Sequence, residues 1–189
     1  MNAKYFKIEE MIRCYKEYGR CAKCPLDHAT KQLPNGLEKN AVALIEDVLE
    51  PVREKMRESV IITSGFRCPF KNSLTKGSAK SSLHQQCCAA DIQVSHDGYD
   101  SMQAWKMANL QLAKEIIKLG RYDQLIIENV GANDLLPVWI HVSYLRKGPN
   151  RHQILKKVAG GAYVSGQMLY GTIQSFLRKA SEPLSLPPA

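Results

Sequence analysis

The chain has 189 residues, 44% of them hydrophobic and 23% charged, with a formal charge of +8. Length and balance exclude a disordered or fibrous chain and suit one globular domain with a sizeable core. No stretch approaches the run of about 18 apolar residues that a membrane span requires, and "MNAKYFKIEEMIRC" lacks the apolar centre of a signal peptide.

A single domain over residues 1–178 is therefore expected, followed by a loose proline-rich tail over 179–189. With no signal peptide expected, the protein would be made in the cytoplasm. Six cysteines, at 14, 21, 24, 68, 87 and 88, are too sparse for a disulfide scaffold, and a reduced state is expected. The positive charge favours polyanionic partners: nucleic acid, an anionic lipid surface, or a bacterial wall rich in carboxylate and phosphate.

In chain order, the "NG" at 35 and 36 reads as a turn. Residues 37 to 58 then place Leu37, Ala41, Leu44, Ile45, Val48, Val52 and Met56 at spacings of three and four, the apolar stripe of a core helix. Pro51 is expected to kink or split it near Leu49. "VIITSGFR" reads as a strand delivering Arg67 into a loop, and "CPFKNSLTKGSAKSS" as exposed loop. "AADIQV" is a buried strand, and "DSMQAWKMANLQLAKEIIKLG" a second amphipathic helix with Asp100 or Ser101 as N-cap and Gly120 as stop. "DQLIIEN" and "VWIHVSY" follow as strands, with no internal repeat. This order predicts an α+β fold, a small mostly antiparallel sheet with helices packed on one face.

In "VWIHVSY" a period of two sets Trp139, His141 and Ser143 on one face and Val138, Ile140 and Val142 on the other. The aliphatic face fits a core, so His141 points away from it. His84 in a loop mouth and Asp91 on a strand complete a set of two imidazoles and one carboxylate. Zinc in catalytic sites takes three ligands of these types and keeps a position open. Spacing by itself leaves open both a metal site and ordinary packed or hydrogen-bonded histidines.

The stretch "SSLHQQCCAADIQV" resembles the signature of the zinc D-alanyl-D-alanine carboxypeptidases and related peptidoglycan endopeptidases, a group sharing its metal-site architecture with lysostaphin-type peptidases and the hedgehog domain. That signature has a Ser-Gly-Tyr-Arg strand end, a Ser-x-His-x-x-Gly-x-Ala-x-Asp motif and a later Trp-x-His. Here Ser64, Gly65, Phe66 and Arg67 match the first, Ser82, His84, Ala89 and Asp91 the second, and Trp139 and His141 the third. The flanking "KYFKIEEMIR", "VLEPVRE", "DQLIIEN" and "NRHQIL" look like the short, phage-associated branch, so the resemblance runs from about residue 5 to 155.

The resemblance implies one catalytic Zn2+ held by His84, Asp91 and His141. It further implies an Arg67 that holds a carboxylate or carbonyl oxygen of the substrate, and a Ser82 that lines the same cleft.

Two positions depart from the pattern. Cys87 stands where the family has glycine, and if positive φ is needed there it costs about 1 kcal/mol or more. Val138 stands where many members carry the glutamate of Glu-x-x-His. A base is still required to move a proton from water to the leaving amine; Glu128 on the preceding strand is the first choice and Asp134 the second. Cys88, four residues after His84, is an alternative soft ligand. Cys14, Cys21, Cys24 and His28 allow a separate structural metal, although one CxxC is half of that signal.

The leading expectation is thus a monomeric zinc metallopeptidase acting on bacterial peptidoglycan peptides, delivered to the wall at phage lysis or carried in a virion. A catalytically inactive wall-binding or virion protein that keeps the metal scaffold is the alternative. A nucleic-acid binder is disfavoured because 7% aromatic residues and dispersed lysines provide no stacking platform.

Overall fold

The computed structural model describes residues 2–12, 32–131, 135–161, 163–165 and 173. Cys14, Cys21, Cys24, His28, Asp134 and the proline-rich tail lie outside the described residues. Among the described residues six strands form one sheet: β1 (Val60–Ser64), β2 (Ala89–Val94), β3 (Gln124–Val130), β4 (Trp139–Ser143), β5 (Gln153–Val158) and β6 (Tyr163–Ser165). Their order is β1-β2-β4-β3-β5-β6, and every neighbouring pair is antiparallel except β3 and β5. The α+β architecture with a mostly antiparallel sheet follows the expectation.

One face of the sheet is the core. Ala90 and Ile92 of β2 pair with Val142 and Ile140 of β4, which pair in turn with Leu125 and Ile127 of β3. All six are at most 1% exposed. Against this face packs α5 (Met102–Leu119), capped by Ser101, whose hydroxyl accepts from the Ala104 amide at 3.1 Å, and ended by Gly120 at φ 69°. Its Leu110, Leu112 and Ile116 are fully buried, each stabilising the fold by about 1.5–3 kcal/mol. Asn109, also fully buried, accepts from the Val94 amide at 2.8 Å and donates to the Val138 carbonyl at 2.9 Å. That one amide locks the end of β2 to the entry of β4, the two strands that carry Asp91 and His141.

The amphipathic stretch after Pro34 is continuous helix, resolved into α2 (Asn35–Leu44), a π turn (Ile45–Leu49) and α3 (Glu50–Met56). The turn expected at Asn35-Gly36 is instead the first turn of α2, with Pro34 at its N-cap. The break expected near Leu49 is this π turn. There the Glu50 amide reaches back five residues to the Ile45 carbonyl, which widens the helix where the Pro51 ring would crowd the preceding turn.

The segment after Arg67 departs from the loop that its composition predicts. Pro69–Leu74 is a short helix, α4, with Pro69 in its first turn and Cys68 as N-cap. Its Asn72 is 4% exposed and donates to the Ala79 carbonyl at 2.9 Å. Six residues are too few to hold a helix by propensity; the proline start, the Cys68 cap and this bond to the following loop hold it. Strands β5 and β6 were also not expected: "QILKKV" has too many lysines to read as strand, and it is stabilised by parallel pairing with β3.

Candidate metal centre

Opposite the core, the sheet presents a polar face on which register does the assembling. Asp91 of β2 lies directly across from His141 of β4, and Ser64 of β1 directly across from Asp91. Residues in such pairs share a face with β-carbons about 5 Å apart. His84 comes from a 3-10 turn (Leu83–Gln86) that sits over the start of β2.

The three donor atoms converge. His141 Nδ1 is 3.0 Å from Asp91 Oδ1, His84 Nε2 is 3.2 Å from the same oxygen, and the two imidazole nitrogens are 3.1 Å apart. Among the described residues this trio is the group of His, Cys, Asp and Glu side chains able to hold a metal ion. Tetrahedral ligands at zinc distances would stand about 3.3 Å from one another, so the spacing and the N, N, O donor set fit that ion.

The second ring nitrogen of His84 is fixed. Nδ1 donates to the Gly65 carbonyl at 2.6 Å, which leaves the lone pair on Nε2, turned toward Asp91 and His141. A backbone acceptor that sets the tautomer in this way also raises the basicity of a metal-binding imidazole.

Gly65 has a second task, because its α-carbon packs on the first helix, α1 (Ile8–Met11). A β-carbon there would lie 2.1 Å from the Met11 carbonyl oxygen, and the next amide, of Phe66, donates to that oxygen at 2.6 Å. Gly65→Ala is expected to destabilise the fold by about 3 kcal/mol or more, since backbone must move on both sides. A thermal melt showing a loss of less than about 3 °C would contradict this close packing.

Arg67 enters the cluster directly. Its Nη2 makes a charged hydrogen bond with Asp91 Oδ2 and lies 3.1 Å from His84 Nε2, while Nε donates to Ser64 Oγ at 3.0 Å. Burial works to raise the Asp91 carboxyl, but the charges and hydrogen bonds of His84 and His141 outweigh it and hold it well below the usual carboxylate range. Asp91 is therefore an anion at neutral pH, and it accepts the Arg67 bond as one.

The cluster forms part of a cleft of about 330 Å³ that Ser82 and Glu128 also line. Glu128 faces Trp139 across the β3–β4 hairpin, on the same face as His141. Burial raises its carboxyl above the ordinary value; Asp91 adds to the rise, and Lys157 and His141 oppose it. Val138, where the resemblance implies a glutamate, donates its amide to the Glu128 carbonyl at 3.0 Å. The acidic side chain thus stands on the adjoining strand.

Sequence reasoning missed Lys157 and Arg151, which also line the cleft. Lys157 Nζ is 3.3 Å from Glu128 Oε2. Arg151 forks onto the fully buried Asp123, with Nε 2.9 Å from Oδ1 and Nη2 2.5 Å from Oδ2. Both basic residues belong to a part of the chain whose pairing with β3 leaves no local signal.

Cys87 takes the conformation that a glycine would adopt freely, with φ 55° and ψ 22°. Burial pushes its thiol up to about 12, and that of Cys88 up to about 11. Neither thiol joins the metal-capable group among the described residues, so the geometry does not support Cys88 as a ligand.

Cys87→Gly relieves about 1 kcal/mol of left-handed strain and forfeits a similar amount of buried side chain, so its stability is expected to stay within about 1 kcal/mol of the parent. Cys87→Val keeps the strain and adds a β-branch, and is expected to lose about 2 kcal/mol or more. Urea midpoints that rank the two variants the other way would show that this turn is not under strain.

Residues 4–126 match the family model described as Peptidase M15. No curated protein matches the chain. The matched span includes Arg67 and the stretch from His84 to Asp91, and it ends two residues before Glu128. The sheet then brings Glu128 and His141 to the same face as Asp91. With well over half of its length matched, the chain belongs to the Peptidase M15 family of zinc D-Ala-D-Ala carboxypeptidase-like metallopeptidases.

Proposed function

We propose that this protein is a zinc-dependent peptidase that hydrolyses peptide bonds of bacterial peptidoglycan, in the stems or the cross-links. His84, Asp91 and His141 hold the metal, Glu128 is the general base, Arg67 binds a carboxylate or carbonyl oxygen of the peptide, and Ser82 lines its path. The observation that carries this reading is the convergence of three donor atoms, 3.0–3.2 Å apart, in one cleft with a buried glutamate.

A zinc ion bound there would supply Lewis acidity toward a carbonyl oxygen and toward water. The remaining chemistry belongs to the chain. Glu128 takes a proton from the attacking water as its oxygen bonds to the carbonyl carbon. It returns that proton to the nitrogen as the C–N bond breaks, so that a carboxylic acid and an amine leave. Arg67, anchored through Nε on Ser64 and Nη2 on Asp91, keeps Nη1 to donate a charged hydrogen bond to a peptide carboxylate or carbonyl oxygen.

The lining of the cleft favours an anionic substrate. Arg67, Lys76, Arg151 and Lys157 line the cleft together with Asp91 and Glu128; Asp123 neutralises Arg151, and the divalent ion would add to the positive side. Stem peptides with free carboxylates fit that balance, and the net charge of +8 favours approach to an anionic wall. Delivery at phage lysis or entry agrees with the branch that the flanking segments resemble.

Zinc-loaded protein incubated with purified sacculi should release free amines, and elemental analysis should find one zinc per chain. Zinc bound without amine release, together with pelleting on sacculi, would replace this reading with that of an inactive wall-binding protein. The specific ground for that second reading is Val138 in the place of the usual glutamate.

A further inference from the structure

Four side chains cross the polar face of the sheet in one row next to the metal cluster. Trp139 of β4 lies beside Glu128 of β3, Glu128 beside Lys157 of β5, and Lys157 beside Tyr163 of β6. The Lys157 ammonium is 3.3 Å from Oε2 of Glu128 and 5.1 Å from the centre of the Tyr163 ring. On a third side the loop after α4 closes in: a β-carbon built on Gly77 would lie 3.6 Å from Nζ.

A lysine at a surface has a long, freely rotating stem, and its ion pairs contribute little. This one is held on three sides, and the side chains of the pair are only 21% and 11% exposed. Its contact is with one carboxylate oxygen of Glu128. A carboxylate held by one oxygen presents the other in a defined direction, whereas an unheld one turns about its last bond.

The fold does not require this pair for its register, because β3 and β5 are joined at five other positions. The placement is thus more specific than sheet stability requires.

We infer that Lys157 is the positioning residue of the reaction: its ammonium holds Oε2 of Glu128 and leaves Oε1 to receive the proton of the attacking water. This rests on the reading of Glu128 as general base. Tyr163 in turn holds the ammonium in place by facing it with its ring, a cation–π contact.

The test is steady-state hydrolysis of soluble muropeptides prepared from sacculi, by the zinc-loaded full chain. Lys157→Met and Lys157→Gln are expected to lower kcat by about 10- to 100-fold, the scale of a misplaced catalytic group. KM should stay within about twofold and zinc content should not change. Lys157→Arg should restore most of the rate, and Tyr163→Leu should lose part of it.

A rise in KM at unchanged kcat would make Lys157 a substrate-carboxylate site and overturn the assignment. Equal loss in Lys157→Arg and Lys157→Met would do the same. The two readings fail separately. If Glu128→Gln keeps the parent rate, the general base is misassigned and Lys157 falls with it. If Glu128→Gln is inactive while both uncharged Lys157 variants keep the parent kcat, only Lys157 falls.

Discussion

Zinc should bind the His141→Ala protein about 10²- to 10³-fold more weakly than the parent chain, and amine release should fall with it. Structural zinc sites with four ligands contribute about 10–16 kcal/mol, so one ligand among three or four carries about 3–4 kcal/mol. The fold should survive the change. His141 lies on the polar face, and its neighbours Ile140 and Val142 keep the core pairing of β4 with β2 and β3. Asp91 also retains its ion pair with Arg67, so no bare charge is left buried.

Melting with and without zinc separates the two effects. At zinc concentrations about 100 times the dissociation constant, the parent gains about 2.7 kcal/mol by linkage. The variant should gain far less, while the two melt alike in chelator. Equal zinc-induced shifts in both proteins would remove His141 from the site. His84→Ala and Asp91→Ala should also abolish turnover, but each carries a second structural consequence. His84 is tied to Gly65, and Asp91 neutralises Arg67.

The second large effect concerns Glu128. Glu128→Gln is expected to reduce kcat by about 10²- to 10⁴-fold, the usual worth of a positioned proton-transfer group, with zinc still bound. The direction of its carboxyl shift sets the pH dependence. Burial raises it above the ordinary value, so Glu128 stays protonated, and idle as a base, to higher pH than an exposed glutamate.

The rate should therefore rise with pH through a limb above about 4.3, the free-residue value. The parent should lose activity as pH falls through that limb. The glutamine variant should show no such limb in kcat at saturating zinc. The same sign governs stability. A carboxyl whose folded value lies above its unfolded value favours folding while protonated and opposes it once ionised. Glutamine removes that opposition at neutral pH, so loss of rate in Glu128→Gln should not be accompanied by early unfolding. A variant retaining more than about a tenth of the parent kcat would exclude Glu128 from proton transfer.

Several parts of this molecule can be read locally. Helix α5 follows from its apolar spacing between a serine cap and a terminal glycine, because each signal lies within a few residues of the structure it specifies. The outward placement of His141 follows from the two-residue period of a strand whose alternate residues are aliphatic. The hairpin that joins Glu128 to the strand of His141 is likewise a near-neighbour pairing. The left-handed turn at Cys87, φ 55°, falls where the resemblance implies a glycine.

Other features depend on the folded arrangement. Helix α4 is too short to be stable alone and is held by its Pro69 start, its Cys68 cap and the burial of Asn72, which bonds to the Ala79 carbonyl in the loop that follows. Strand β5 carries no alternating pattern and is defined by parallel pairing with a strand 29 residues earlier, as Gln124 opposite Gln153 shows.

That pairing alone places Lys157 against Glu128. Gly65 looks like a turn residue in sequence, yet its need for a bare α-carbon comes from α1, more than 50 residues away. Composition, periodicity and motif order thus determined the fold class and named the three ligand candidates, because those signals are short-range or chemical. Tertiary structure decided how close the ligands stand, which acid stands beside them and what holds that acid, because distances between remote segments are set by register and packing rather than by local residue preference.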